Sequence, residues 1–387
     1  MQLAPLSGRP HALFAGAALL AALSACSQQD AKDDGLTSPT VSTGIVQITS
    51  DEDSEPQLAI DIEQAKIDLG RRLMFDVALS RPRGVSCGMC HDPTRGWGDA
   101  RPQGKGVQDN TLDSEGHDTQ LAVSGNRYKT FLTPRNTPTV YNSHLFDNQF
   151  WDGRAGDLEH QAQFPFEAGP EMNSNWDEHI LPILHSDAKY RRQFKRAYGD
   201  PVATRERASE AIGKYERTIS VFDTPYDAFL GGDMGALSVQ EKQGHDLFFG
   251  AAGCATCHPG PMLTDMGFHN TGVPTAGRLA LEGVVDLGFG VRTDLTQVPA
   301  VDIDEPTDYA KFKTPQLRML AVTGPYMHNG ALRTLEEVVE FYDQGGGPDL
   351  SGTGTKHPAI VPLGLTESEK TDLVAFLRTG LMGTEIR

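Results

Sequence analysis

The sequence predicts a mostly α-helical protein built of two similar units with long irregular loops. Three observations carry that expectation. Apolar residues recur at helical spacing where the chain is regular, as at Ile62, Ala65, Leu69, Leu73 and Met74. A Cys-x-x-Cys-His pentapeptide occurs twice, as Cys87-Gly88-Met89-Cys90-His91 and as Cys254-Ala255-Thr256-Cys257-His258, and each copy follows a helical stretch and a short glycine-containing turn. Between the regular stretches run segments dominated by Gly, Pro, Asp, Asn and Thr, at 92–137 and 259–310.

Cys-x-x-Cys-His is the attachment signature of c-type haem. The requirement is steric. Thiols three residues apart span the two vinyl groups, and the next residue already lies under the iron as a ligand. A single match could be a zinc or redox pair with a bystander histidine. Two perfect copies in a chain with only five cysteines argue for two covalently bound haem c groups, at Cys87, Cys90 and His91 and at Cys254, Cys257 and His258. The expected fold class is therefore mostly α, with two cytochrome c-like haem domains and long irregular loops.

In chain order, residues 1–25 carry one basic residue, Arg9, and then an apolar run from Ala12 to Leu23. This is a signal-peptide pattern, too short for a membrane-spanning helix. The run ends Leu23-Ser24-Ala25-Cys26, which resembles a bacterial lipobox, so Cys26 is expected to carry lipid. The alternative is ordinary cleavage near Ala25 that leaves Cys26 a spare thiol. Acyl chains at Cys26 would anchor the protein on the periplasmic side of a membrane, taken to be the outer membrane, without spanning it. Residues 26–57 are polar and read as a flexible tether. The remainder divides into an N-terminal haem domain at 58–225 and a C-terminal one at 226–387. The formal net charge of −18 argues against nucleic acid and favours a neutral or basic partner.

A helix beginning near Asp61 delivers the chain to the first pentapeptide. Further helices are expected at 177–198 and 204–222, with a domain junction over 225–236. A helix at 238–249 then leads into the second pentapeptide, and helices at 334–343 and 366–379 close the chain. The last is capped by Thr366 with Glu369 three residues on.

Four motifs carry a more specific likeness: Arg135-Asn136-Thr137-Pro138, Phe150-Trp151-Asp152-Gly153-Arg154-Ala155, Phe268-His269-Asn270-Thr271-Gly272-Val273-Pro274 and Tyr326-Met327-His328-Asn329-Gly330. The chain from about Ile62 to Leu381 resembles the bacterial di-haem cytochrome c peroxidase family, and within it the branch named after the methylamine-utilisation protein MauG. The resemblance implies that Trp151 relays electrons or holes between the haems, although a tryptophan is more commonly a core residue. It implies that Gln161 and Glu171 sit over the open face of the first haem, where a carboxyl group in an apolar pocket moves the protons of peroxide and an amide orients the oxidant. It implies one Ca2+ held by Asn136, Thr323 and Pro325, which are otherwise plain turn residues. Family peroxidases carry a methionine ligand fourteen residues after the histidine that matches His328; this chain has Tyr342 there. A tyrosinate ligand favours ferric iron and a low potential, and this is the MauG pattern. Where many relatives place a removable histidine over the first haem, the ungapped position is Tyr128, and His117 is the one histidine between His91 and His144. The first haem is therefore expected to be open to peroxide without prior reduction.

The implied function is reduction of hydrogen peroxide at the first haem. Electrons would pass through the second haem and Trp151 from a small redox protein, a cytochrome c or a cupredoxin. The alternative is oxidation of tryptophan side chains in a dedicated protein substrate. A third reading, from another class, is a non-enzymatic electron-transfer cytochrome with both irons six-coordinate.

Overall fold

A computed structural model describes residues 54–81, 83–106, 132–291, 307–350, 352 and 356–384. The expected leader, Cys26, most of the tether, His117 and Tyr128 lie outside the described residues. Helix α1 (Ser54–Phe75) begins earlier than Asp61, so positions 54–57 belong to the helix and not to the tether. Ser54-Glu55-Pro56 explains the early start: serine is a good first residue, and proline is tolerated in the first helical turn, where its missing N–H costs nothing.

The first core grows from the apolar face of α1. Ala65, Leu69 and Leu73 pack with Phe166, Trp176, Ile180, Leu184, Tyr190, Phe194, Ala208, Ala211 and Ile212. These come from α3 (Phe164–Glu167), which follows the short α2 (Leu158–Gln161), and from a π turn at Trp176–Ile180, α4 (Leu181–Ser186), α5 (Ala188–Tyr198) and α6 (Arg205–Glu216). Each large side chain so buried contributes about 1.5–3 kcal/mol. Helices α1 and α6 meet closely because Gly70 has no side chain; a Cβ there would stand 1.8 Å from the Ala211 carbonyl oxygen. The helix expected at 177–198 is divided at Asp187, whose carboxylate accepts from the N–H groups of Lys189 and Tyr190 and so starts α5 afresh. The helix expected at 204–222 stops at Glu216. Beyond it Ile219 and Val221 join Met74, Trp97, Val140, Tyr141 and Met319 in a third cluster.

The second core is drawn from α7 (Pro225–Leu230), α8 (Val239–Phe249), α10 (Leu335–Asp343) and α11 (Glu367–Ala375), the last continued by a π turn to Gly380; α9 (Gly277–Glu282) lies between α8 and α10 in sequence. Tyr226, Leu237, Phe248, Leu335, Val339, Leu373 and Phe376 form its centre. Two short strands, β1 (Phe268–His269) and β2 (Phe312–Lys313), pair antiparallel with His269 opposite Phe312. The stretch 225–236 is not a plain junction. Thr224 and Asp227 form a capping box around Pro225, and Tyr226 is buried in the second core. The signal was present as Thr-Pro-Tyr-Asp, an N-cap, a first-position proline and an acid at N3. All described residues belong to one compact unit, Asp51–Arg387. No helix among them is long and apolar enough to cross a membrane.

Arg318 ties α7 to the loop after the second pentapeptide. Its guanidinium is buried and donates to both carboxylate oxygens of Asp227 and to the Pro261 carbonyl. Replacing it leaves Asp227 without its cation in a largely enclosed site. Arg318→Ala is expected to destabilise the haem-loaded protein by about 3–5 kcal/mol, measured as a lowered midpoint of denaturant unfolding. A midpoint unchanged from the parent would refute this role.

Candidate functional site

The first pentapeptide follows α1 after a 3-10 turn at Val77–Leu79 and an irregular run to Ser86. Its Cys87–Met89 turn packs under Phe75 so tightly that a Cβ at Gly88 would lie 2.3 Å from the ring. The His91 backbone N–H donates to the Cys87 carbonyl at 2.8 Å. The His91 Nδ1 stands 3.2 Å from the Trp97 carbonyl oxygen. A carbonyl only accepts, so Nδ1 carries the proton and Nε2 keeps its lone pair for a metal. Cys87 Sγ lies 4.0 Å from the sulfur of buried Met172, which brings Glu171 to the same place. Burial first, and then the charges of Glu216 and Glu171, push the Cys87 thiol up to about 12. Burial, Asp99 and Glu171 push Cys90 up to about 11. Burial also raises the Glu171 carboxyl above its ordinary range, against the pull of Arg154. Gln161 ends α2, half-buried, with no side-chain hydrogen bond among the described residues.

The second pentapeptide opens on a cavity of about 300 Å³. Cys254, Cys257 and His258 line it together with Tyr342, Phe248, Val338, Val339, Leu373 and Leu377. His258 Nδ1 is 2.7 Å from the Leu263 carbonyl, so this histidine too turns a free Nε2 away from its backbone partner. Tyr342 comes from α10, three residues after core residue Val339, and burial pushes its hydroxyl up to about 12. Trp151 lines the same cavity. Its indole N–H donates to the Asn136 carbonyl at 2.9 Å, and its own carbonyl accepts from the Lys313 N–H at 2.8 Å. Trp151 rides a tight loop that needs Gly153 at φ +68°, where a Cβ would also strike the Phe268 ring at 2.4 Å. Asn136, Thr323 and Pro325 line this cavity as well. The Asn136 amide nitrogen donates to the Arg101 and Pro102 carbonyls, which leaves its oxygen available to a cation.

The residues present fit covalent haem at both motifs. Each pairs two cysteines with a histidine held in the right tautomer, and the second adds an apolar cavity with a phenol in its wall. The zinc alternative fits poorly. Cys257, His269 and His357 bring ligand atoms within 4.8 Å of one another, but Cys254 is not among them, whereas a zinc Cys-x-x-Cys pair converges both thiols on one ion.

Two features were not assigned from the sequence. Arg135 is held between Asp152 and Asp286, with contacts of 2.6 and 2.7 Å. Lys313 is enclosed beside the Trp151 loop, its ammonium donating to the Asn148 carbonyl at 2.8 Å and lying 4.1 Å from the Phe146 ring centre. Burial pushes Lys313 down to about 7. The Arg135 motif itself was visible, but its partner at 286 sits in an irregular stretch with no periodic signal. A lone lysine between Phe312 and Thr314-Pro315 was the only hint of the other.

The sequence profile described as di-haem cytochrome c peroxidase matches residues 64–235. The cytochrome-c peroxidase IdrP1 of Denitromonas iodatirespirans is 34% identical over 328 residues, covering 81% of this chain and 80% of the relative. The methylamine utilization protein MauG of Methylorubrum extorquens is 35% identical over 320 residues, 81% of this chain and 77% of the relative. Among solved structures, a MauG-like protein associated with microbial copper homeostasis is similar at a TM-score of 0.63 and 31% identity, over 83% of this chain and 90% of that one. The diheme peroxidase BthA of Burkholderia thailandensis is similar at 0.64 and 25% identity, over 83% and 86%.

Glu216 offers a pH test of the first site. One of its carboxylate oxygens is buried without a hydrogen-bond partner, and burial, then Glu159, pushes the group up to about 8. An acid raised in the folded state holds its proton there after the unfolded chain has lost it. Stability is therefore full below the unfolded value near 4.5 and falls as pH rises towards 8, by up to about 1.4 kcal/mol per pH unit. Unfolding free energies of the haem-loaded parent and Glu216→Gln across this window should diverge, with the variant flatter. Parallel curves would show that Glu216 does not titrate there.

Proposed function

Because this chain belongs to the di-haem cytochrome c peroxidase family, whose members are peroxidase enzymes with two haem c groups, we propose that it is an exported peroxidase with unequal sites. It would reduce hydrogen peroxide beside His91 and draw electrons through the second site and Trp151 from a cytochrome c or a cupredoxin. The observation that carries this reading is the asymmetry between the two motifs. A carboxyl group raised by burial, Glu171, lies near the first, and the cavity of the second contains the phenol of Tyr342.

The haem groups, when bound, would supply electron transfer and peroxide activation. The chain supplies position and protons. His91 and His258 present Nε2 because backbone carbonyls hold Nδ1–H. Glu171, whose carboxylate burial makes more basic, can take a proton from peroxide and, once neutral, return it to the departing oxygen. Gln161, whose amide has no hydrogen bond among the described residues, can orient the oxidant by hydrogen bonding. Two electrons and two protons convert each peroxide to two waters. Trp151, with its N–H held by the Asn136 carbonyl, offers an indole against the second cavity as the relay. Asn136, Thr323 and Pro325 would hold Ca2+ through oxygen atoms. Two cytochrome c-like domains, export to the periplasmic side and lipid at Cys26 complete the reading.

A second reading is favoured by Tyr342. A phenolate ligand would stabilise ferric and higher-valent iron and lower the potential, which suits holding oxidising equivalents for tryptophan side chains of a dedicated protein substrate over exchange with a soluble donor.

Glu171→Gln should lower kcat/KM for peroxide by about 10²–10⁴-fold while haem content and the visible spectrum of the second haem stay as in the parent. A diferric spectrum that is wholly low-spin and unmoved by peroxide would instead leave only the electron-transfer cytochrome. Tyr342→Met should raise the midpoint potential of the second haem in a redox titration. An unmoved potential would remove Tyr342 as its ligand.

A further inference from the structure

Helix α5 carries a basic face that the peroxidase reading does not use. Lys189, Arg191, Arg192, Lys195 and Arg196 are all exposed, while Tyr190, Phe194 and Ala197 are buried. At about 100° per residue the five cations fill the arc opposite the buried stripe. None of the five side chains forms an ion pair or hydrogen bond among the described residues. The neighbouring acids are already paired: Asp187 with Arg72, Asp200 with Arg207, Glu210 with Lys66 and Glu63 with Lys214. In a chain of net charge −18, this is a local reversal of sign.

Its place in the fold limits what it can meet. α5 runs antiparallel to α1, with Arg72 against Asp187 at one end and the Lys66 ammonium 5.0 Å from the Tyr198 ring at the other. The C-terminal end of α5 therefore lies beside the middle of α1, at Lys66. No residue lining the second cavity comes from α1, α4 or α5, so the face is not the rim through which electrons would reach that site. It also has no exposed apolar anchor larger than Ala188. Protein interfaces place aromatic or aliphatic residues at their centre, whereas attraction to a sheet of anionic headgroups needs only basic side chains in reach.

We propose that the basic face of α5 docks on an anionic phospholipid surface and orients the molecule on it. The proposal is independent of the peroxidase chemistry. It complements lipid at Cys26, because an acyl anchor and a polybasic patch together hold a surface that either alone holds loosely.

The test uses the haem-loaded chain from Ser27 to Arg387, which keeps every described element and lacks the lipid. It is sedimented with vesicles of phosphatidylcholine alone, or with about one-third phosphatidylglycerol added. Binding is expected only to the mixed vesicles, and should be lost near 1 M salt, where the screening length falls to about 3 Å. The triple variant Arg192→Glu, Lys195→Glu, Arg196→Glu should bind the mixed vesicles at least about ten-fold more weakly, with the visible spectrum and peroxidase turnover of the parent, since these side chains leave the core untouched. Equal sedimentation with both vesicle types, or a triple variant that binds as the parent does, would overturn the proposal. So would loss, in the triple variant, of binding to an acidic protein without any change in vesicle binding.

Discussion

The geometry of the second site depends on one buried guanidinium. Arg135 meets Asp286 through two nitrogens and Asp152 through the third, at 2.6–2.8 Å. Burial works against this charge, but the two carboxylates outweigh it and hold the guanidinium protonated, while Arg135 in turn holds both acids below their usual range despite their own burial. Such a cluster adds little net stability compared with apolar packing, yet losing one member leaves a buried charge uncompensated. Its value is positional. It pins three irregular segments: the loop that presents Asn136, the loop that presents Trp151, and the bridge and 3-10 turn that follow Asp286. The Trp151 indole and the Asn136 carbonyl meet because the residues beside them in sequence, Asp152 and Arg135, meet first.

The same reasoning separates what could be read in the sequence from what could not. The haem motifs were legible because their chemistry is contiguous, five residues satisfying one steric requirement. The helices at 239–249, 335–343 and 367–375 were legible because Ser238, Thr334 and Thr366 accept from the N–H three residues on, a local bond with a local signature. The 177–198 segment was misjudged because its helical periodicity continues across Asp187, whose capping bonds override it. The start of α7 is masked in the sequence by Gly231-Gly232 just beyond it, a pair that reads as a linker although the Thr224 cap starts a helix. Asp286 and Lys313 act across more than a hundred residues, and Glu216 acts from the last residue of α6. Nothing local marks a side chain whose meaning is set by what folds against it.

The two motifs share their attachment chemistry and their histidine geometry, down to a backbone carbonyl behind each Nδ1. They differ in what the neighbouring groups can do with a proton. Near the first stand two carboxyl groups that burial raises, Glu171 above its ordinary range and Glu216 up to about 8. Around the second, burial acts on a phenol and a lysine, raising Tyr342 and lowering Lys313. A phenol at about 12 does not exchange its proton near neutrality; it loses that proton only when a cation takes its oxygen. The first environment is suited to moving protons in each turnover and the second to a charge arrangement set once, when the cofactor is installed. Duplicating an attachment motif therefore does not duplicate a site. Burial of different ionisable groups is enough to give the two motifs different proton chemistry.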